Sequence, residues 1–339
     1  MDLVPSMLEE YGEATRVALC EYLQPREPRR HLWSLVADYP RRGGRMLRPS
    51  LCIATARAFG GRVEQAVRSA AALELLHNAF LVHDDIEDES LERRGRPTLH
   101  SLHGVSVAIN VGDALTVLGL RALIDNRSTL GPWLTMQILE EAERMARETV
   151  EGQAIELGWR RDNAMHLAEA DYLEMVLKKT CWYTAIFPSR VGALIGAGKA
   201  RDVDGFVRFG FFLGAGFQIH DDLLNLESAD GRYGKERDGD ILEGKRTLML
   251  IRLLESARPA DRERLRRFLE TPRIDRKADE VAWVRGRMEA MGCLEHARAM
   301  AHALAGAALH EYSLLYASVP DSRDKRFIEA LCTWVLDRT

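Results

Sequence analysis

Cysteine is sparse and scattered: Cys20, Cys52, Cys181, Cys293 and Cys332 are odd in number, far apart and never in a CxxC spacing. That pattern argues against a disulfide framework and against a thiolate zinc site, and leaves reduced thiols in a cytoplasmic protein as the expectation. Neither sign of charge is in excess, since 47 Lys and Arg face 51 Asp and Glu for a net charge of −4, mixed along the chain. Nothing suggests a nucleic-acid footprint. No apolar leader opens the sequence, whose first residues include Asp2, Glu9, Glu10 and Glu13, so no signal peptide is expected. The longest apolar stretch, Val105 to Ile124, is interrupted by Asn110, Asp113 and Arg121, which favours a buried core helix over a membrane span.

Alternating β-branched runs, Ser/Gly linkers and low-complexity tracts are also missing. Ala, Leu, Arg and Glu fill the chain instead, with apolar residues recurring at helical spacing in segments such as Ala66 to Val82 and Val207 to Leu226. The reading is all-α: a single domain over residues 1–339, one helical body with a C-terminal helical extension. Gly, Pro or dense charge mark loops at Arg41 to Pro49, Leu91 to Thr98, Ser228 to Lys245 and Ala257 to Lys277. Arg326 to Val335 is amphipathic, and Phe327, Leu331 and Trp334 are expected to dock it on the body as core packing.

One hexapeptide occurs twice. Phe80-Leu81-Val82-His83-Asp84-Asp85 returns as Phe217-Gln218-Ile219-His220-Asp221-Asp222, each copy ending an apolar stretch on a carboxylate pair. The first copy continues to Asp88 and the second to Asn225, and the i, i+4 spacing puts Asp84 and Asp88 on one helical face. Carboxylates this close resist joint ionisation unless a cation or Arg neutralises them. Oxygen-only donors with no Cys or His cluster point to a hard ion, Mg²⁺ first, which keeps waters and shares substrate phosphates. The alternative, a pair of solvated helix ends, sits poorly with the apolar run ahead of each copy.

Basic residues complement these acids: Arg45 and Arg48 in the turn Gly43-Gly44-Arg45-Met46-Leu47-Arg48-Pro49, Arg93-Arg94-Gly95 beyond Asp88, and Lys179, Lys235 and Lys245 around the second copy. Each alone reads as a solvated surface charge, yet the Arg fork suits phosphate oxygens. Together the acids and bases describe a site for two diphosphates, one bridged to metal and one held by cations. The apolar helices leading into the clusters would wall a tunnel for a hydrocarbon tail. Gly239 to Thr247 nearly matches a P-loop, but Arg246 occupies the Ser/Thr place, no apolar strand precedes it, and two acids inside the loop would repel phosphate.

Taken in order, the Gly43 to Pro49 turn, Asp84-Asp85 to Asp88 followed by Arg93 to Thr98, Gly152-Gln153, Lys179-Thr180, Phe217 to Asp222, Gly234-Lys235 and Glu243-Gly244-Lys245-Arg246-Thr247 resemble the trans-isoprenyl diphosphate synthase, or polyprenyl synthetase, family. The resemblance implies antiparallel helices around a central cavity, the isoprenoid synthase type I fold, usually as a homodimer. It implies Mg²⁺-dependent 1′-4 condensation of isopentenyl diphosphate with an allylic diphosphate of C5, C10 or C15 to a linear trans-prenyl diphosphate. Asp84, Asp85, Asp88, Asp221, Asp222 and Asn225 would serve the metals, three Mg²⁺ ions by the family's pattern, with Mn²⁺ a substitute. Arg93, Lys179 and Lys245 would hold the allylic diphosphate with Lys235 close by, while Arg45, Arg48, His77 and Arg94 would bind isopentenyl diphosphate. Gln218 and main-chain oxygens around Lys179 and Thr180 would soften the allylic cation, and the released diphosphate would take the proton.

Three positions depart from the family pattern: Arg45 stands for a common Lys, Met249 for a frequent Pro, and Asn225 for the third Asp of the second motif. Asn225 keeps an oxygen and loses a charge, so weaker metal binding is expected, and Asn225→Asp is expected to lower the Mg²⁺ requirement. Positions four and five before the first Asp help set the tunnel floor in this family. Here they are Phe80 and Ala79, one ring beside one small residue, which favours C20 over C15 and over longer products. The alternatives are a class I terpene synthase, which usually carries an NDxxSxxxE type of second motif, and a non-catalytic regulatory subunit of a prenyl synthase, which often loses the first acidic motif or the basic residues.

Overall fold

Apolar residues three and four apart build long helices packed side by side, and the computed structural model, which describes residues 2–198, 202–227 and 237–337, is all-α but for one small hairpin. Helix α1 (Leu3–Tyr22) leads through short turns to α2 (Leu47–Ala58) and α3 (Val63–Glu87). The antiparallel hairpin β1 (Glu92–Arg93) and β2 (Arg96–Pro97) follows, then α4 (Val105–Asp125) and α5 (Arg127–Arg161), broken near its start at Gly131 ahead of Pro132. Next, α6 (Glu169–Val176) runs through a π-helical segment, Leu177–Ile186, into α7 (Phe187–Ala197). After α8 (Gly205–Glu227) come α9 (Gly239–Glu243), α10 (Leu248–Ser256) and α11 (Pro259–Glu270). A 3₁₀ turn, Arg273–Asp275, precedes α12 (Ala278–Ala290), α13 (Cys293–Leu315) and α14 (Arg323–Trp334).

Two helices form the middle of the molecule, and they are the two that carry the repeated hexapeptide. In α3, Ala70, Ala71, Ala72, Leu73 and Leu75 are fully buried, and the small side chains let α2 and α4 approach closely on different sides. In α8, Phe206, Phe209, Ala215 and Ile219 are equally buried, between the π-helical segment and α13. Each fully buried Leu or Phe contributes roughly 1.5–3 kcal/mol relative to exposure, so both hexapeptides sit on rigid supports.

Three expectations need amendment. The polar stretch from Ala257 to Lys277 holds α11: Pro259 starts it, and Leu265, Phe268 and Leu269 give it a buried face despite its dense charge. Helix α4 is buried along one side only, with Ala108, Val111 and Leu115 turned inward while Val117, Leu120 and Ile124 stay exposed. Among the described residues it is the one helix long and apolar enough to cross a membrane. In α14, Phe327 and Leu331 are core residues as expected, but Trp334 is only half-buried and lines the cavity described below. Gly234 and Lys235 lie outside the described residues.

Candidate active site

Asp84 and Asp85 stand in the last turn of α3 and Asp88 caps it, its N–H donating to the Asp84 carbonyl at 2.8 Å. A helix C-terminus is the negative end of the macrodipole, so three carboxylates there require cations. Several elements supply them. Arg93 donates from Nε to Asp85 Oδ1 at 2.8 Å and reaches Asp84 at 3.3 Å, while the Tyr39 hydroxyl donates to Asp85 Oδ2 at 2.5 Å. Lys179 lies 3.2 Å from Asp84 and also pairs with Glu156. Asp88, with no exposed surface, is 2.6 Å from Lys245 and 2.5 Å from Arg160.

The charges in this cluster hold one another. Burial pushes the Asp88 carboxyl up, with Lys245 pulling it back. Burial draws the Lys179 ammonium down, but Glu156 and Asp84 outweigh it, so its pKa lies above that of an ordinary lysine. Lys245 is likewise raised by Asp88 and Glu243 against its burial. The Lys179 backbone is held close to α5 because position 152 is glycine: a Cβ there would overlap the Lys179 nitrogen. The π-helical winding begins at this point and carries Lys179, Thr180 and Tyr183.

The hairpin separates two arginines. Arg94 and Gly95 both have positive φ, 55° and 68°, as a two-residue hairpin turn demands, and the strained Arg94 backbone is secured from outside. Arg42 donates to the carbonyls of Arg93 at 3.1 Å and Pro97 at 2.8 Å. Arg93 thereby enters the acid cluster, while Arg94 turns toward buried Glu74 and the Tyr39 carbonyl, 3.3 Å away. Near Arg94 begins α2, whose N-terminus offers positive dipole charge beside Arg45 and Arg48. The Arg48 guanidinium lies 4.8 Å from the Tyr183 ring and 5.8 Å from Phe217, and Arg45 lies 5.9 Å from Trp334. Arg48 Nε and His77 Nδ1 are buried with no hydrogen-bond partner among the described residues. Burial and then Arg48 and Arg94 hold the His77 imidazole well below its ordinary pKa, hence neutral.

The second acidic end differs. Asp222 is buried and accepts from Tyr172 at 2.8 Å and Gln218 at 2.7 Å; burial, and then Asp240, push its carboxyl up to about 8. Asp221 is half-buried on the cavity side. Asn225 Oδ1 accepts the Asp240 N–H at 3.0 Å, so this oxygen serves the start of α9 and does not face the cavity. The Gln218 amide is oriented from both sides, its Oε1 accepting from Thr180 at 3.0 Å.

One cavity of about 1130 Å³ joins these groups. Single-ligand clefts run from roughly 300 to 1,000 Å³, so there is room for two substrates. Asp84, Asp221, Asp222, Arg45, Arg48, His77, Arg93, Arg94, Lys179, Thr180, Gln218, Lys245 and Phe80 line it. Asp85, Asp88, Asn225 and Ala79 do not. Ala79 belongs to the α3 face that packs against neighbouring helices, one residue and about 100° of helix rotation from Phe80. Among the described residues no three His, Cys, Asp or Glu side chains form a closed metal-binding group. The cavity-lining carboxylates Asp84, Asp221 and Asp222 are hard oxygen donors of the kind Mg²⁺ takes, with water and substrate phosphates completing its shell. Sequence reasoning missed Tyr39, Arg42, Glu156, Arg160, Tyr172 and Tyr183. Only Arg42, beside the diglycine turn, carried a local signal; the others come together through tertiary packing.

The polyprenyl synthetase family matches residues 30–285 of the chain. The chain belongs to that family. It is 35% identical to a short chain isoprenyl diphosphate synthase of Methanothermobacter thermautotrophicus over 265 residues, covering 76% of this chain and 77% of that one. Its structure is similar to that of geranylgeranyl pyrophosphate synthetase from Pyrococcus horikoshii, with a TM-score of 0.86, 28% identity and coverage of 99% and 98%. It is also similar to geranylgeranyl pyrophosphate synthase from Corynebacterium glutamicum, solved with isoprenyl diphosphate and magnesium, with a TM-score of 0.85, 25% identity and 100% coverage of both chains. The chain is thus a prenyltransferase of isoprenoid biosynthesis with the all-α isoprenoid synthase type I fold.

Proposed function

We propose that this prenyltransferase condenses isopentenyl diphosphate with an allylic diphosphate, elongating it to a linear C20 product, with C15 the nearest alternative. The observation that carries the reading is a single cavity with an acid and ammonium cluster (Asp84, Asp221, Lys179) and a separate guanidinium cluster (Arg48, Arg94) beside the N-terminus of α2. Mg²⁺, held by Asp84 and Asp221, would neutralise the leaving diphosphate. Lys179, Lys245 and Arg93 hold that diphosphate's oxygens, and their mutual pairing with acids keeps them charged inside a buried site. Arg48, Arg94 and the free amides of α2 hold isopentenyl diphosphate, with neutral His77 beside them. Gln218 and Thr180, locked to each other, present fixed dipoles toward the cation that forms between the two clusters. The walls exclude water during its lifetime. Departing diphosphate takes the proton that restores the allylic double bond.

Phe80, packed against Tyr183 with ring centroids 5.8 Å apart, supports the intermediate chain length as a bulky ring lining the cavity one helical turn before Asp84. The chain acts as one domain in the cytoplasm, and as a homodimer. The apolar face left by Val117, Leu120 and Ile124 of α4 with Met136 and Val150 of α5 suits a second copy.

The test is incubation with Mg²⁺, isopentenyl diphosphate and each of the C5, C10 and C15 allylic diphosphates, with products sized by mass spectrometry. A linear C20 diphosphate abolished by EDTA is expected. A cyclic hydrocarbon without isopentenyl incorporation would mean a terpene cyclase, and no turnover with any starter would mean a regulatory subunit.

A further inference from the structure

The segment after α11 reaches back over the first acidic motif. From the 3₁₀ turn, whose Ile274 is 89% exposed, the Arg273 side chain points inward and is itself largely buried. Its Nη1 donates to the main-chain carbonyl of Asp88 at 2.8 Å and to Glu243 Oε1 at 3.0 Å. The first acceptor is one of the carbonyls that a helix C-terminus leaves without an intrahelical donor. The second is the carboxylate whose other oxygen lies 2.7 Å from Lys245, and Ser90 donates to it as well, at 3.0 Å. Three residues on, Arg276 donates to the Leu242 carbonyl at 2.6 Å, and to the Thr271 and Leu269 carbonyls at 2.9 and 3.0 Å. It passes so close to Gly244, which has φ 70°, that a Cβ there would come within 2.8 Å of its Nη1. Residues 269–276 therefore form a strap that fixes the loop bearing Lys245 relative to the end of α3.

We propose that Arg273 is a positioning residue for the reaction: by bridging Asp88 and Glu243 it sets where Lys245 stands opposite the first carboxylate pair. It does not line the cavity and acts through Glu243 and Lys245. The proposal rests on the condensation reading above, in which Lys245 holds the allylic diphosphate. Without the bridge, Arg276 still ties the loop to the strap, so the fold is retained while the loop gains freedom at the one lysine it must present. A displacement on the order of 1 Å at a charged group is enough to cost an enzyme tenfold or more in rate.

The experiment compares Arg273→Met and Arg273→Lys with the parent in steady-state kinetics at graded Mg²⁺, alongside thermal melting. Arg273→Met is expected to lower kcat about tenfold and raise the Mg²⁺ needed for half-maximal rate several-fold, while the KM for isopentenyl diphosphate, held by groups the strap does not touch, stays within about twofold. Arg273→Lys keeps the charge and is expected to recover most of the loss. Parent-like kcat and Mg²⁺ dependence in Arg273→Met would overturn the proposal. So would a loss spread equally over both substrates that follows a falling Tm and is not rescued by lysine. If the parent condenses no starter, the condensation reading itself fails, and Arg273 is judged by Mg²⁺-dependent binding of inorganic diphosphate: about tenfold weaker binding in Arg273→Met upholds the strap, and unchanged binding overturns it.

Discussion

At the end of α3, Asp84, Asp85 and Asp88 lie among Arg93, Lys179, Arg160 and Lys245, whereas on α8 Asp222 meets Tyr172, Gln218 and a second carboxylate, Asp240. The hexapeptides are near copies, and both put their last Asp deep in the protein. Cations pair with each member of the first set, while burial and then Asp240 push the Asp222 carboxyl up to about 8. Identical residue types thus acquire different partners from the elements packed against them. The aromatic that opens each copy diverges too: Phe80 packs against Tyr183 in the cavity wall, and Phe217 backs the Arg48 guanidinium.

The contrast can be broken most severely at the rate of reaction. Asp84→Asn or Lys179→Met is expected to lower kcat by about 10² to 10³, because each removes charge aimed at the leaving diphosphate, and Asp222→Asn by far less. Steady-state rates at saturating Mg²⁺ check this; an Asp222→Asn loss as large as that of Asp84→Asn would erase the distinction. Stability gives a second handle. Asp85→Asn strips a buried partner from Arg93 and is expected to cost about 3 kcal/mol, at the low end for a broken buried pair because Asp84 still faces the same guanidinium. Asp222→Asn puts an amide in place of a carboxyl whose pKa burial already raises, and is expected to cost less than about 1 kcal/mol, with urea denaturation separating the two.

Smaller effects sharpen the comparison. Phe80→Ala is expected to lengthen the product by at least one C5 unit, and Phe217→Ala to raise the KM for isopentenyl diphosphate with little change in product; mass spectrometry and kinetics reading the reverse would exchange their roles. His77 supplies a pH dependence. Its folded pKa is depressed below the ordinary 6.5, so the unfolded chain binds more protons between the two values. Its contribution is fully present above about pH 6.5 and is lost as pH falls, so Tm should drop on acidification and His77→Gln should flatten that part of the slope. The smallest effect is expected at Asn225, whose oxygen is committed to the Asp240 N–H. Asn225→Asp should leave the Mg²⁺ for half-maximal rate within about twofold, and a several-fold fall would restore Asn225 as a metal ligand.

Much of this was legible in the chain. The 3.6-residue apolar period located α3 and α8, since Ala66 to Val82 and Val207 to Leu226 fall wholly inside them. The charged groups flanking the hexapeptides were visible as residue types, and most of them line one cavity. Which oxygen faces that cavity was not legible, because it depends on partners far along the chain: Tyr39 on Asp85, Arg160 on Asp88, Tyr172 on Asp222. The i, i+4 rule placed Asp84 and Asp88 together, yet the helix ends between them, and Asp88 is drawn into a buried ion cluster. Charge density hid α11 because its few apolar residues fall on one narrow face. Trp334 read as core filling, since nothing in an amphipathic terminal helix tells whether its last aromatic meets protein or cavity.

The most direct measurement is calorimetric titration of inorganic diphosphate with Mg²⁺ into the parent, Asp221→Asn and Asp222→Asn. If context assigns the two neighbours different roles, Asp221→Asn weakens binding about tenfold or more, as loss of a metal-facing carboxylate should, while Asp222→Asn stays near the parent. Equal losses in the two variants would contradict the account, and would mean that both carboxylates of the second copy reach the metal.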